Sequence, residues 1–333
     1  MRWGIISTGH IAGKFADALR PSGSEQVVAV ASRDAARAAE FARGHGGARA
    51  YGSYAALLAD ADVDAVYIGL PNSMHAEWAA KAAAAGKHVL CEKPMGVSRA
   101  EAAAMFEAAR AGGVWLMEAF MYRFHPRTLK LAELLRQGAI GEVRLVRASF
   151  AFMATNPADV RLNAELAGGA LMDVGCYCVN LARLAVGQAP SRALAAARWA
   201  PSGVDLTLAG TLEYPGAALA QISCSLATSF HQSVQIVGSA GVIQYDGAFN
   251  LPADQAGVLH IRRDAPGAAP ETIEFPGVNQ YQAEAEGFAR LVAAGHGAAG
   301  LPEMPLAETL DNMAAIEALL RSARDGGAVE VAQ

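Results

Sequence analysis

Short apolar runs that alternate with helix-like stretches over roughly the first 120 residues constrain this chain more than any other feature of its sequence. The runs at 2–7, 26–31, 65–69, 88–91 and 114–117 have strand length, and helical stretches at 11–20, 34–43 and 98–111 follow three of them. Ser98 is a plausible N-cap for the last of these helices, with Glu101 at capping-box spacing. Pro21 and Gly23 punctuate the first crossover and Gly44 the second. A strand–helix alternation of this kind forms a parallel sheet with crossover helices, an α/β layer. At 333 residues the chain is longer than one core usually sustains, so a second domain is expected.

Beyond Pro126 the pattern changes to a helix ending near Gln137, a turn at 138–141, a strand at 142–152 and a helix containing 171–184. Runs at 206–214, 218–226, 233–237 and 242–245 are then separated by Pro-Gly, Gly-Ser and Asp-Gly turn signals, which predicts an antiparallel meander. Helices near 281–294 and 306–323 close the chain. The expected organisation is an α/β domain over 1–122 and an α+β domain with a large, mainly antiparallel sheet over 123–333.

With 53% hydrophobic and 18% charged residues the composition is that of a folded, soluble protein. A net charge of -5 without a basic block or aromatic-basic stripe argues against nucleic-acid binding. The first residues run straight into an apolar stretch without the pattern of a secretory signal, and no window holds about 18 uninterrupted apolar residues, so no membrane association and a cytoplasmic location are expected. Cys91, Cys176, Cys178 and Cys224 fit neither a disulfide framework nor a zinc site by spacing, and are read as reduced and mostly buried.

The first strand ends in Ser7-Thr8-Gly9-His10-Ile11-Ala12, a variant of the Gly-x-Gly-x-x-Gly/Ala turn whose backbone N–H groups meet a pyrophosphate at a helix N-terminus. Ser7 replaces the first glycine. Alone the match is weak, but its place after the opening strand and at the head of a run of βα units makes it a Rossmann-type doubly wound domain. The second strand ends in Ser32-Arg33-Asp34. A hydroxyl and a guanidinium suit the 2'-phosphate of NADP(H); alternatively Ser32 caps the next helix, Arg33 is solvated and Asp34 serves the ribose.

Ligands of open parallel sheets lie across the carboxyl ends of the strands, which draws attention to Leu70-Pro71-Asn72-Ser73-Met74-His75 and to Cys91-Glu92-Lys93-Pro94. Leu70, Pro71, Asn72 and His75 are candidate cofactor contacts, although Asn72 or Ser73 could cap the following helix with His75 packed on its first turn. A lysine at the mouth of a cofactor cleft costs solvation unless it has a partner or a chemical role. Glu92 is the candidate partner, and Lys93 the candidate for binding a ribose hydroxyl and holding charge near a reacting alcohol. Pro94 fixes its own φ and restricts Lys93.

The stretch Arg161-Leu162-Asn163-Ala164-Glu165-Leu166-Ala167-Gly168-Gly169-Ala170-Leu171-Met172-Asp173-Val174-Gly175-Cys176-Tyr177 places Asp173 and Tyr177 one helical turn apart on one face. Tyrosine is a poor base at its reference pKa of about 10, but a nearby lysine cation favours the phenolate, and Lys93 is the natural source. The bland alternative is a polar helix edge beside a packing aromatic.

The segments GIISTGHIA from Gly4, VASRD from Val30, YIGLPNSMH from Tyr67, VLCEKP from Val89, EAFMYRFHP from Glu118 and RLNAELAGGALMDVGCY from Arg161 together resemble the glucose-fructose oxidoreductase and inositol dehydrogenase family, Gfo/Idh/MocA, over essentially the whole chain. The resemblance implies that Lys93 of the Glu-Lys-Pro element, Asp173 and Tyr177 are the catalytic residues. It further implies a usually cis Lys93–Pro94 bond and a homodimer or homotetramer formed through an open-faced sheet. Tyr177 in place of histidine, EAFMYRFHP and Ser32-Arg33 look closest to the dihydrodiol dehydrogenase and NADP-dependent xylose dehydrogenase branch. No export segment of the periplasmic glucose-fructose type is expected.

These features predict hydride transfer between NADP(H) and a hydroxyl-bearing carbon of a sugar or cyclic diol, with no metal required. Tyr177 is the acid/base, Lys93 tunes it, and Asp173 positions the hydroxyl. Arg123, Phe152, Arg161 and Tyr281 are candidate substrate contacts on the second domain. Two rival readings are an NADP-binding sensor without turnover, and another chemistry of the family such as imine reduction or NAD-dependent glycoside cleavage.

Overall fold

The computed structural model describes residues 1–295 and 301–332. Two compact units form: Met1–Phe124 with Asn279–Leu306, and His125–Val278 with Ala307–Gln333. The break after Phe124 lies beside the expected boundary. The helix near 281–294, which the sequence reading gave to the second domain, packs within the first unit, against the short turn at Met121–Phe124.

In the first unit, chain order runs β1 (Arg2–Ile6), α1 (His10–Leu19), β2 (Gln26–Ala31), α2 (Ala35–Gly44), β3 (Arg49–Tyr51), α3 (Tyr54–Leu58), β4 (Ala65–Ile68), α4 (His75–Ala84), β5 (His88–Glu92), α5 (Arg99–Ala111) and β6 (Leu116–Ala119). The six strands form a wholly parallel sheet in the order β3-β2-β1-β4-β5-β6. This is the order of a doubly wound dinucleotide-binding sheet. Every residue of β4 and β6 is buried, because parallel strands covered on both faces leave no side chain a route to water. β3 was not anticipated; it has three residues, too few to show a period.

The second unit begins with α6 (Pro126–Arg136) and β7 (Val143–Met153), and a π-turn at Leu171–Gly175 leads directly into α7 (Cys176–Val186). Seven strands follow: β8 (Arg192–Trp199), β9 (Asp205–Glu213), β10 (Leu219–Ser225), β11 (Ala227–Gly238), β12 (Gly241–Asp246), β13 (Gly257–Arg263) and β14 (Glu271–Phe275). After α8 (Gln280–Ala294), which belongs to the first unit, come α9 (Leu306–Asp325) and β15 (Val329–Glu330). The nine-stranded sheet has the order β14-β13-β12-β11-β7-β10-β9-β8-β15. It is not the simple meander expected: β7 lies between β11 and β10, antiparallel to the first and parallel to the second. The fold class is nonetheless the anticipated one, a Rossmann α/β unit and an α+β unit with a large, mainly antiparallel sheet.

One face of the large sheet carries its core. Ile222 and Cys224 of β10 and Leu208 and Leu212 of β9 are buried there, and α9 packs so closely that a Cβ on Gly210 would meet Leu319 Cδ2 at 2.7 Å. The other face is built of small and polar side chains that bond to one another. Arg147 donates to Gln221 (3.2 Å) and to Gln235 (2.7 Å), and Ser223 donates to Ser149 (3.0 Å). Arg147, Ser149, Gln221 and Ser223 line a shallow groove of about 660 Å³ together with Leu194 and Thr211.

Candidate active site

Each unit contributes a set of candidate residues. In the first, β1 delivers the chain into Ser7, whose hydroxyl accepts the Gly9 N–H at 3.0 Å and so shapes the turn in the absence of the first glycine. Gly9 is the N-cap of α1 and supplies no side-chain cap, and the first turn carries no acidic residue. The first-turn N–H groups, around His10, Ile11 and Ala12, have no acceptor within the helix and present partial positive charge. The chain also crosses close by: a Cβ on Gly69 would lie 3.2 Å from Ile11 Cγ2 and 3.7 Å from Ser7 Cβ. An uncapped helix start behind a tight, small-residue crossing fits a pyrophosphate, with Ser7, Thr8, Gly9, His10 and Ile11 around it.

At the end of β2 the hydrogen bonding separates the alternatives that the sequence left open. Asp34, not Ser32, is the N-cap of α2: its carboxylate accepts the N–H groups of Ala36 (2.8 Å) and Arg37 (3.2 Å), while Ser32 Oγ accepts the Asp34 N–H (3.3 Å). With Asp34 engaged by backbone, Arg33 and Arg37 are both exposed at this edge, and the Arg33 side chain also bonds to the Tyr54 hydroxyl. Two cations and no free carboxylate suit a 2'-phosphate. Arg37 was missed; its spacing of four from Arg33 was the available signal.

Lys93 sits half-buried on a turn that is clamped from several directions, with the Lys93–Pro94 bond cis. Glu92 Oε2 accepts the Lys93 N–H at 3.2 Å, and its Oε1 accepts the Tyr67 hydroxyl at 2.5 Å. Tyr67 in turn stacks on Phe15, 3.9 Å between centroids. Beyond the proline, Glu118 Oε1 accepts the Met95 N–H at 2.8 Å. His75 is wholly buried, with Nδ1 3.0 Å from the Pro94 carbonyl and Nε2 2.9 Å from the Leu70 carbonyl. Burial pushes its pKa down, so the ring is neutral and donates to one of the two. The ring, closed off by the two carbonyls, braces the backbone at Leu70 and Pro94 rather than facing a ligand itself. Asn72 opens a short 3₁₀ turn, Asn72–Met74, and neither it nor Ser73 caps α4, whose N-cap is Met74.

Two expected substrate contacts belong to the first unit. Arg123 is 1% exposed and donates to the carbonyls of Pro302 (3.1 Å) and Glu303 (2.9 Å), a fixture of the chain's return rather than an open guanidinium. Tyr281 lies in the first turn of α8, where burial raises its pKa, aided by Glu92 and Glu284.

In the second unit, Asp173 lies in the π-turn and Tyr177 in the first turn of α7. The helix expected over this stretch is present, but its start is wound as π, an irregularity found disproportionately at functional sites. Arg161 Nε donates to Asp173 Oδ2 at 2.7 Å and its NH1 lies 3.3 Å from Asp159 Oδ1. Burial works against this guanidinium, but Asp173 and Asp159 more than offset it and hold its pKa above the ordinary value. Arg161 also lies over the ring of Phe152, 5.7 Å from its centroid. Tyr177 is 5% exposed, with its ring 5.6 Å from Phe150 and 5.5 Å from Phe249; the last two stack 5.6 Å apart. A phenol whose ring is fixed among aromatics has few orientations, which suits a group that must meet a proton at one place.

The parallel sheet, the uncapped first helix and the Lys93 turn define a nucleotide-dependent oxidoreductase, and the comparisons agree. Residues 1–120 match the model of the oxidoreductase family with an NAD-binding Rossmann fold, and residues 128–244 match the Gfo/Idh/MocA C-terminal domain. The chain belongs to the Gfo/Idh/MocA family. It is 41% identical to D-xylose 1-dehydrogenase (NADP(+)) 2 of Haloferax volcanii over 99% of this chain and 100% of that one. It is likewise 41% identical to trans-1,2-dihydrobenzene-1,2-diol dehydrogenase of Sus scrofa over 73% of each. Among solved structures, KijD10, a 3-ketoreductase from Actinomadura kijaniata in complex with NADP and TDP-benzene, superposes with a TM-score of 0.87 at 32% identity, covering 97% of both chains.

Proposed function

We propose that this chain is an NADP(H)-dependent dehydrogenase that oxidises a hydroxyl-bearing carbon of a sugar or cyclic diol, and reduces the matching carbonyl in reverse. Bound NADP supplies the hydride acceptor, C4 of its nicotinamide. Tyr177 takes the hydroxyl proton as the carbon loses its hydride, so charge balances without a metal; in reverse Tyr177 returns the proton. Asp173, fixed by Arg161, accepts a hydrogen bond from the reacting hydroxyl and sets its direction. Lys93 orients ribose and substrate hydroxyls. Arg33 and Arg37 bind the 2'-phosphate.

The observation that carries the reading is the double preparation of the reactive groups: Lys93 on a turn held by Glu92, Glu118 and His75, and Asp173 and Tyr177 held by Arg161 and an aromatic pair. The names of the relatives favour xylose or a trans-dihydrodiol as substrate. A sensor would have no use for this preparation. As parts of the same proposal, the first unit holds NADP, the second binds substrate, and the open face of the nine-stranded sheet joins copies into a homodimer or homotetramer. The same proposal places the protein in the cytoplasm, where its four buried cysteines stay reduced.

The test measures NADP reduction with D-xylose, D-glucose and a cyclic trans-diol. Lys93→Ala and Tyr177→Phe should each lower kcat by about 10²-fold or more, a typical worth for positioned acid–base groups. Undiminished turnover in both variants would falsify the assignment.

A further inference from the structure

The π-turn that carries Asp173 is anchored from below by an aspartate that the sequence reading did not single out. Asp205, the first residue of β9, is 2% exposed, and its Oδ2 accepts the Leu171 N–H at 2.7 Å. Its other oxygen occupies the space where a side chain on Gly169 would stand: a Cβ there would lie 2.2 Å from Asp205 Oδ1. Gly169 has a φ of +118°, a conformation open to glycine and hostile to other residues. Its N–H donates to the Arg161 carbonyl at 2.8 Å, and its carbonyl accepts the Asp173 N–H at 3.0 Å. Thus the backbone of Arg161, the Gly168–Gly169 bend, the buried carboxylate and the Asp173 amide form one connected chain of bonds. On the far side, a Cβ on Gly175 would meet Cys224 Sγ at 2.7 Å, so the π-turn is seated tightly on β10 as well.

We infer that Asp205 is a positioning residue for the dehydrogenase chemistry, whose carboxylate fixes the π-turn and through it the pose of Asp173 and Tyr177. The inference rests on the roles proposed above for those two residues. Asp205 acts through the backbone that bears them. The groups that face it are the Leu171 N–H and its own backbone N–H, Cys224 on β10 and, at longer range, Arg324 on α9. Burial outweighs the stabilising contribution of the amides and Arg324 and raises its pKa from 3.8 to about 6.

The experiment uses the full chain with NADP and D-xylose, or whichever substrate of the panel turns over fastest. Asp205→Ala removes the acceptor and strands the Leu171 N–H; it should lower kcat about tenfold or more while NADP affinity, read by fluorescence titration, stays unchanged. Asp205→Asn keeps a carbonyl oxygen for Leu171 and should restore kcat to within about threefold. Independently of turnover, amide hydrogen exchange in a peptide covering 169–175 should speed up in Asp205→Ala and stay near wild type in Asp205→Asn. If Asp205→Ala fails to fold, Gly169→Ala approaches the same contact from the other side and should reproduce the loss of kcat. An alanine variant, at 205 or at 169, with wild-type kcat and exchange overturns the inference, as does an Asp205→Asn enzyme no more active than Asp205→Ala. Tyr177→Phe is run in parallel. Full activity there removes the roles on which the inference depends, whereas an inactive Tyr177→Phe beside an unaffected Asp205→Ala removes the inference alone.

Discussion

The two sheets of this protein solve the burial of a strand in different ways. In the parallel sheet Ile5 and Ile6, adjacent in β1, are both wholly buried, because helices lie against both faces. In the nine-stranded sheet the neighbours Gln221 and Ile222 of β10 part company: Ile222 faces the helices at 3% exposure and Gln221 is exposed on the polar face. The difference teaches where each unit can change. A sheet buried on both sides has no position free of packing, and only its strand ends are available for chemistry. A sheet covered on one side keeps a whole face for recognition.

The sharpest way to break this comparison is a scan of neighbours. Ile5→Ala and Ile6→Ala should each cost about 2–5 kcal/mol, and so should Ile222→Ala, whereas Gln221→Ala should stay within about 0.5 kcal/mol. Urea unfolding reads all four, and a Gln221→Ala variant as damaged as Ile222→Ala would mean that the polar face is a core after all.

A middle-sized effect comes from the histidine that each unit buries. In the first, His75 is enclosed between two carbonyls; in the second, His125 caps α6 by accepting the Arg127 N–H at 3.0 Å. Burial, with a contribution from Arg127, lowers the His125 pKa from 6.5 to about 4. Between those values the unfolded chain binds more protons than the folded one. The stability that neutral His125 contributes is thus full above pH about 6.5 and lost as pH falls toward 4, on the order of 1–3 kcal/mol. His125→Asn keeps an acceptor at the N-cap and removes the titration, so it should flatten the fall in melting temperature across this window, leaving the share due to His75. An unchanged pH profile would remove His125 from the account.

The smallest effect on folding should come with a visible effect on assembly. Arg147→Glu on the open face should alter chain stability by about 0.5 kcal/mol or less, yet shift the sedimentation profile toward monomer. A variant that sediments like an oligomeric wild type would place the interface elsewhere, and a wild type that is monomeric throughout would remove it.

Much of the first unit was legible because its signals are local. Apolar runs with helical spacers gave five of its six strands, and the Ser7–Ala12 turn and the Lys93-Pro94 element are contiguous in the chain. β3 was too short to show a period, and Leu116–Ala119 lies two residues beyond the expected run at 114–117. The second unit was read less completely. β8, β13, β14 and β15 were not placed, since alanine-rich or charged edge strands such as Arg192–Trp199 carry weak alternation. Arg123 and Arg161 were both read as substrate contacts, because sequence presents an arginine without its acceptors. The structure gives the first to backbone carbonyls and the second to Asp173 and Asp159.

The sequence by itself determined the local grammar of this protein: which stretches become strands and helices, where a helix start is left without a side-chain cap, and which lysine, aspartate and tyrosine are the candidates for the chemistry. Those outcomes follow from periodicity, capping and turn chemistry within a few residues of each position. Tertiary structure alone decided that β7 inserts between β10 and β11, that α8 returns to the first unit, and that Asp205 lies beneath a turn 34 residues before it. Such pairings draw their free energy from desolvation and packing between distant segments, and spacing along the chain carries no record of which segments will meet.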